Sequence, residues 1–246
     1  MREYLPQPNH APENYYETKS TVKDLGMPVV KIDVCKNSCM LYWGADEKLL
    51  QCKFCSENRY KPRFAAKKKL IPWKKMYYLP LANRLQRLYE SQRTAPHMRW
   101  HAEHAAKPGE MQHPSDGKAW KDFNAIFRNF ASEPRNVYLC LCTDGFAPYG
   151  QSGGNYSLWP VIMSPYNLPP DMCLKREVMF LTLLIPGREH PKKSFDVFLQ
   201  PLIKELKDLW LTGVPAFDVS QKQNFTLKAV LLWTISDFPV YGMLSG

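Results

Sequence analysis

The 246 residues fit one large domain or two small ones. Apolar residues make up 45% and charged residues 23%, an ordinary globular composition that argues against wholesale disorder. The longest apolar runs, 178–185 and 229–235, are far short of a bilayer span, and the opening MREYLPQPNH lacks the apolar core of a secretory signal, so membrane and secreted classes are disfavoured.

Charge is strongly basic: 33 Lys and Arg stand against 23 Asp and Glu, a formal +10. Much of the excess lies in one place. Between Lys53 and Lys75 nine basic residues face one acid, Glu57. Such a run attracts polyanions with a steep salt dependence, although a solvated basic linker has the same composition.

In chain order, residues 13–25 (ENYYETKSTVKDL) read as a helix ending at Gly26. Seven cysteines are an odd number, which is a poor fit to a disulfide framework. Four form a pattern: Cys35-x3-Cys39, twelve residues, then Cys52-x2-Cys55. Two close pairs across a short loop let four thiolates converge on Zn²⁺, with the intervening MLYWGADEKLLQ as a short hairpin; the alternative is four unrelated thiols. Cys140, Cys142 and Cys173 read as small buried thiols. A basic linker follows, in which Pro62 and Pro72 disfavour a long regular element. Lys61, Arg63, Lys67, Lys68, Lys69, Lys74 and Lys75 are its candidate DNA-binding residues, and KPRFAAKKK also has the make-up of a nuclear import signal.

Leu81, Leu85 and Leu88 then repeat at helical spacing, and residues 96–106 and 116–130 continue a helical region. His97, His101 and His104 share a helical face there, but without an accompanying acid pattern they read as packed residues. The last third changes to strands at 137–142, 156–163 and 178–185. An apolar helical stripe over 195–210 follows, interrupted by Pro201, so the regular helix is expected to begin near Pro201 with the proline in its first turn, and then comes a strand at 228–235. Trp159 and Trp233 fall in strands and read as core. Glu177, Asp196, Asp208 and Asp218 read as surface or capping groups.

Two of those strands run straight into a carboxylate: VYLCLCTDG ends at Asp144 and AVLLWTISDF at Asp237. Were the strands parallel neighbours, the two acids would sit side by side and require a divalent cation between them, as in Mg²⁺-dependent phosphoryl transfer. Each Asp alone reads more readily as a turn or helix cap.

The blocks DVCKNSCMLYW, CKFC, PLANRLQRLY, HMRWHAEH, HPSDGKAWKDF, EPRNV, TDGF, SLWPV, PYNLPP, LLIPG, DVFLQPLIKELKDLW and LLWTISDFPVYGMLSG occur in one order. Together, from about Pro12 to Gly246, they resemble the transposase of plant CACTA (En/Spm-type) DNA transposons. The resemblance implies an α+β or α/β chain: a helical lead-in (1–30), a four-cysteine zinc module (31–60), a basic linker (61–78), a helical region (79–133) and an incomplete ribonuclease H-like DDE/D domain (134–246). It implies Asp144 and Asp237 as catalytic metal-binding carboxylates for Mg²⁺ or Mn²⁺, and structural Zn²⁺ on the four cysteines. It further implies transposon-end DNA as partner, with a second copy or a companion transposon protein, no membrane, and a nuclear location.

The chain departs from the family in places. The third acid, a later cysteine pair and the fifth strand have no counterpart before Gly246, so an inactive fragment or remnant is expected, with a non-catalytic zinc-containing DNA-binding protein as the alternative. Lys36 and Ser38 lie inside the first cysteine pair, Ser56 replaces the usual Gly, and His104 also differs.

Overall fold

The computed structural model describes residues 14, 16–17, 27–62, 70–107, 109–148, 156–187 and 195–235. In chain order its elements are β1 (Val30–Val34), β2 (Leu41–Tyr42), β3 (Lys74–Tyr78), α1 (Ala82–Glu90), α2 (Trp100–Glu103), α3 (Lys118–Ile126), α4 (Arg128–Ala131), β4 (Val137–Thr143), β5 (Ser157–Pro165), β6 (Phe180–Gly187), α5 (Phe195–Leu211), β7 (Val214–Asp218), β8 (Gln223–Leu227) and β9 (Ala229–Ile235). The expected N-terminal helix at 13–25 falls almost wholly outside the described residues.

Seven strands form one mixed sheet in the order β2-β1-β3-β6-β5-β4-β9. Every neighbouring pair is antiparallel except β4 and β9, which run parallel from Val137 opposite Ala229 to Cys142 opposite Ile235. A parallel partner needs a crossover, and α5 with the β7–β8 hairpin fills it.

Strand β4 is buried on both faces as far as Leu141, which explains its apolar sequence, whereas Cys142, expected as a buried thiol, is exposed. Val137, Leu139 and Leu141 point into the larger core, where Leu85 and Leu88 of α1 and Phe198, Leu199 and Leu202 of α5 cover the sheet. Tyr138 and Cys140 point the other way, against Trp120 of α3 and Phe130 of α4. Trp120 stacks on Tyr138 at 4.1 Å between centroids, and Trp233 of β9 lies 5.6 Å from Trp120. Trp159 is buried, as expected of a core residue, and Trp233 is half-buried.

Two polar devices fix how the elements meet. Fully buried Asn167 donates to the carbonyls of Met98 and Asn136 and accepts the N–H of Tyr138, tying the start of β4 to the segment before α2. Asn136 in turn holds the carbonyl of Phe130 and the N–H of Lys228, the residue before β9. The second device caps α1. Its N-cap residue, Leu81, has no capping side chain, so the N–H groups of Leu81 and Ala82 donate instead to the Glu205 carboxylate on α5, which also accepts the Tyr78 hydroxyl.

Several expectations are corrected. Residues 40–51 do not pair among themselves as a hairpin. Leu41 and Tyr42 are both buried and pair back onto Val34 and Asp33, so the first cysteine pair forms the turn between β1 and β2. Lys74 and Lys75 begin a strand rather than ending an irregular linker, because Met76 and Tyr78 supply the buried alternation of β3. Helix α5 starts at Phe195, well before the first-turn position expected for Pro201. The proline ring lies on the buried face with Phe198 and Leu202, and that packing compensates for the one hydrogen bond it cannot donate. Of the two readings given for Asp218, surface or capping group, the structure bears out the second, with the side chain fully buried. It caps the β7–β8 turn through the N–H groups of Ser220 and Gln221 and pairs with Arg99 at 3.1 Å.

Candidate functional site

The cysteine quartet is a closed cluster. Cys35 and Cys39 flank the β1–β2 turn, closed by the Cys35 N–H to the Met40 carbonyl at 3.0 Å and the Ser38 N–H to the Cys35 carbonyl at 2.8 Å. Cys52 and Cys55 flank a second turn of the same kind, with the Ser56 N–H on the Cys52 carbonyl at 2.9 Å. Ser38 and Ser56 sit at φ +61° and +56°, left-handed positions that glycine fills more comfortably, which accounts for the serine at 56 as the less comfortable residue. The four Sγ atoms lie within 4.8 Å of one another, and Cys35 and Cys55 are 3.5 Å apart. Tetrahedral zinc with Zn–S bonds of about 2.3 Å sets its sulfurs about 3.8 Å apart, so this donor set fits such an ion.

The thiols are electrostatically unequal. Burial pushes Cys35 up to about 12 and raises Cys39, while the Glu57 backbone N–H beside Cys55 brings that thiol down to about 7. A bound dication would draw all four toward thiolate. The Asn37 amide donates to the Cys55 sulfur at 3.6 Å, and Lys36 pairs with Glu57 at 3.1 Å across the two turns. Arg59 braces the module from behind, pairing with Asp33 at 2.8 Å and lying 4.7 Å over the Tyr42 ring.

The acidic strand end has its own local cause. Thr143 faces Val161 and Phe146 faces Leu158, so the constant register puts Asp144 across from Pro160. Proline has no N–H to donate, and the Pro160 carbonyl is taken by the Thr143 hydroxyl at 2.9 Å. The ladder therefore lapses at Asp144, which is left exposed with one carboxylate oxygen on the Gly145 N–H at 2.6 Å. Gly145 is required there: a Cβ would meet the Trp159 ring at 2.2 Å. Sequence reasoning missed this Gly145–Trp159 contact, and only the small residue after the acid hinted at it. Asp237 lies outside the described residues; it follows Ile235 by two positions, as Asp144 follows Cys142, the residue paired with Ile235.

Of the basic candidates, Arg63, Lys67, Lys68 and Lys69 lie outside the described residues. Lys61 stands 5.7 Å over the Trp73 ring, Lys74 donates to the Ser38 hydroxyl at 3.0 Å, and Lys75 is half-buried opposite Asp33. The three histidines do not converge. His97 is exposed, while His101 is buried among Trp120 and Tyr138. His104 stacks on Trp100 at 4.2 Å and pairs with Asp116. Among the described residues, the quartet is the one group of at least three such side chains close enough to hold a metal ion.

Comparison with known families finds a model described as Transposase family tnp2 that matches residues 108–246. The matched stretch holds β4 to β9 and both aspartates and leaves out the cysteine quartet. No curated protein and no solved structure matches the chain.

Proposed function

Because the chain belongs to the transposase family tnp2, we propose that it is the DNA-handling part of a plant CACTA (En/Spm-type) transposase, with a four-cysteine zinc module, a basic linker and a helical region leading into a ribonuclease H-like catalytic domain. The order β6-β5-β4-β9 favours that reading: two antiparallel strands on one side of β4 and a parallel strand, reached through a helix, on the other. The observation that carries it is the parallel pairing of Cys142 with Ile235, two residues before Asp144 and Asp237 respectively.

In this reading the chain's own residues prepare a cation site and a DNA track. Asp144 offers an exposed carboxylate whose orientation is set by the Gly145 N–H. Trp159 packs behind that backbone, and the Thr143 hydroxyl anchors the strand end to Pro160. Asp237, two residues past Ile235 in the sequence, is the second carboxylate of the proposal, and two like charges brought together favour a shared dication. Mg²⁺ or Mn²⁺, when bound, supplies activation of an attacking oxygen and stabilisation of a leaving one. The 246-residue chain assayed alone is expected to bind DNA. A nuclear location, a second copy of the chain or a companion transposon protein, and contacts from the basic residues 61–75 to transposon ends belong to the same proposal.

The test is Mn²⁺ binding followed by electron paramagnetic resonance. Asp144→Ala and Asp237→Ala should each weaken binding by at least tenfold while leaving the melting temperature within about 2 °C. Unchanged Mn²⁺ affinity in either variant would remove the acidic pair from the reading. A second reading, a zinc-containing DNA-binding protein without catalysis, is favoured by the closed quartet. It predicts DNA binding that is indifferent to both substitutions and an absence of metal-dependent nicking.

A further inference from the structure

A cleft of about 740 Å³, separate from the quartet and the acidic strand end, opens between α1, the turn that follows it and the segment joining β5 to β6. Five cations line it, namely Arg84, Arg87, Arg93, Lys175 and Arg176, against two carboxylates, Asp171 and Glu177. The helix aims two of these by its periodicity. Leu85, Leu88 and Tyr89 take the buried face of α1, which leaves Arg84 and Arg87 one turn apart on the other. Arg84 carries a further signal. Its Nε is buried with no hydrogen-bond partner among the described residues, and burial lowers its pKa. A guanidinium N–H left unpaired inside a fold marks a place where an acceptor is expected to arrive.

We infer that this cleft binds the phosphodiester backbone of duplex DNA. Four of its five cations are arginines, whose planar forks match phosphate oxygens in pairs. Its rings are Phe180, buried in the wall, and His97, and the five cations outnumber them, so it grips the backbone rather than reading sequence. Its place separates it from Asp144. The Tyr166 N–H bonds the Tyr138 carbonyl at the start of β4, so the β5–β6 segment lies at one end of that strand and Asp144 at the other. The six residue steps from Tyr138 to Asp144 correspond to about 20 Å of strand, or about six base pairs of duplex rise. The cleft would thus hold DNA well away from the acid it serves. This inference rests on the DNA-binding half of the proposed function and not on the acidic pair.

The experiment is fluorescence anisotropy of the full chain with a 30-base-pair duplex across a salt series. Arg93→Gln/Arg176→Gln alters two exposed residues and should leave the melting temperature unchanged. It should weaken DNA binding roughly tenfold at moderate salt and lower the slope of log K against log salt by about 2, close to 0.9 per lost phosphate contact. A scrambled duplex should lose as much as one carrying transposon-end sequence. Heparin should compete, and inorganic phosphate at low millimolar concentration should not. Arg84→Lys should retain more binding than Arg84→Gln. A double variant with wild-type affinity and slope would overturn the inference, as would a sequence-selective loss, competition by inorganic phosphate alone, or a wild-type chain that does not bind the duplex. Mn²⁺ binding measured on the same double variant reads the acidic pair independently, so either idea can fail without the other.

Discussion

Removing the Glu205 carboxylate tests how this fold is held together. Glu205 lies on α5, yet it accepts the Leu81 N–H at 2.9 and 3.0 Å, the Ala82 N–H at 2.9 Å and the Tyr78 hydroxyl. Glu205→Ala withdraws the cap of α1, worth about 1 kcal/mol. It also removes a charge-assisted acceptor, worth about 1.5 kcal/mol where half-buried. Tyr78 is 7% exposed, so its abandoned hydroxyl adds up to about 1 kcal/mol. Burial and the neighbouring carboxylate hold that hydroxyl well above the usual tyrosine range, so it remains a donor at any working pH. The expected loss is about 3 kcal/mol. At 2–4 °C per kcal/mol for a chain of this size, the melting temperature should fall by about 6–12 °C. Glu205→Gln keeps one acceptor oxygen and should cost about half as much. Circular dichroism melts of wild type, Glu205→Ala, Glu205→Gln and Tyr78→Phe with its double variant measure each contribution and the coupling. A shift below about 1 °C for Glu205→Ala, or equal losses for Ala and Gln, would show that α1 does not depend on a cap borrowed from α5.

Further predictions concern the metal, the acidic strand end, the buried amide and the histidines. The purified chain should carry one zinc by elemental analysis, and Cys35→Ser should abolish it and lower the melting temperature. Gly145→Ala should push Trp159 aside, redshift its fluorescence and weaken Mn²⁺ binding severalfold, since its Cβ would otherwise lie 2.2 Å from the ring. Asn167→Ala strands a buried N–H and two carbonyls and should cost about 3 kcal/mol in urea unfolding. Burial lowers His101 and His113 to about 4, against about 6.5 when unfolded, so the folded state keeps both neutral. Their stabilising contribution is therefore complete above about pH 6.5 and is lost as pH falls toward 4. Unfolding measured across that window should show stability dropping by a few kcal/mol, and His101→Phe should flatten part of the slope.

The legible parts of the sequence were those with strong local signals. β4, β6 and β9 read as apolar runs because they pack on both faces or face a deep core, and α1 read from Leu81, Leu85 and Leu88. The quartet was visible in spacing alone, since two turns and four sulfurs need little else. β3 was not, because Lys74 and Lys75 masked the alternation of Met76 and Tyr78. β8 was missed because it is short and mostly exposed, and β7 because its short alternation ends on the buried acid Asp218 and carries Pro215, neither of which reads as strand; Tyr89 packs on Phe225 of β8. Glu205 as a cap, Asn167 as a tie and Gly145 under Trp159 depend on partners well removed along the chain, which periodicity cannot see. The cleft cations are scattered over 84–93 and 175–176, so no charge run announced them.

The pairing of β3 with β6 has a practical consequence. Tyr77 and Tyr78 face Leu184 and Leu183, and the Leu79 N–H bonds the Thr182 carbonyl at 2.8 Å. The family match begins at residue 108, after β1, β2 and β3. A fragment cut to that match would expose the whole flank of β6, an apolar strand with open backbone donors and acceptors, and such a flank recruits other chains. Expression of 108–246 alone should therefore yield aggregate, whereas a chain beginning before Val30 should stay dispersed. The matched span, 108–246, is shorter than the span whose strands pair in the sheet.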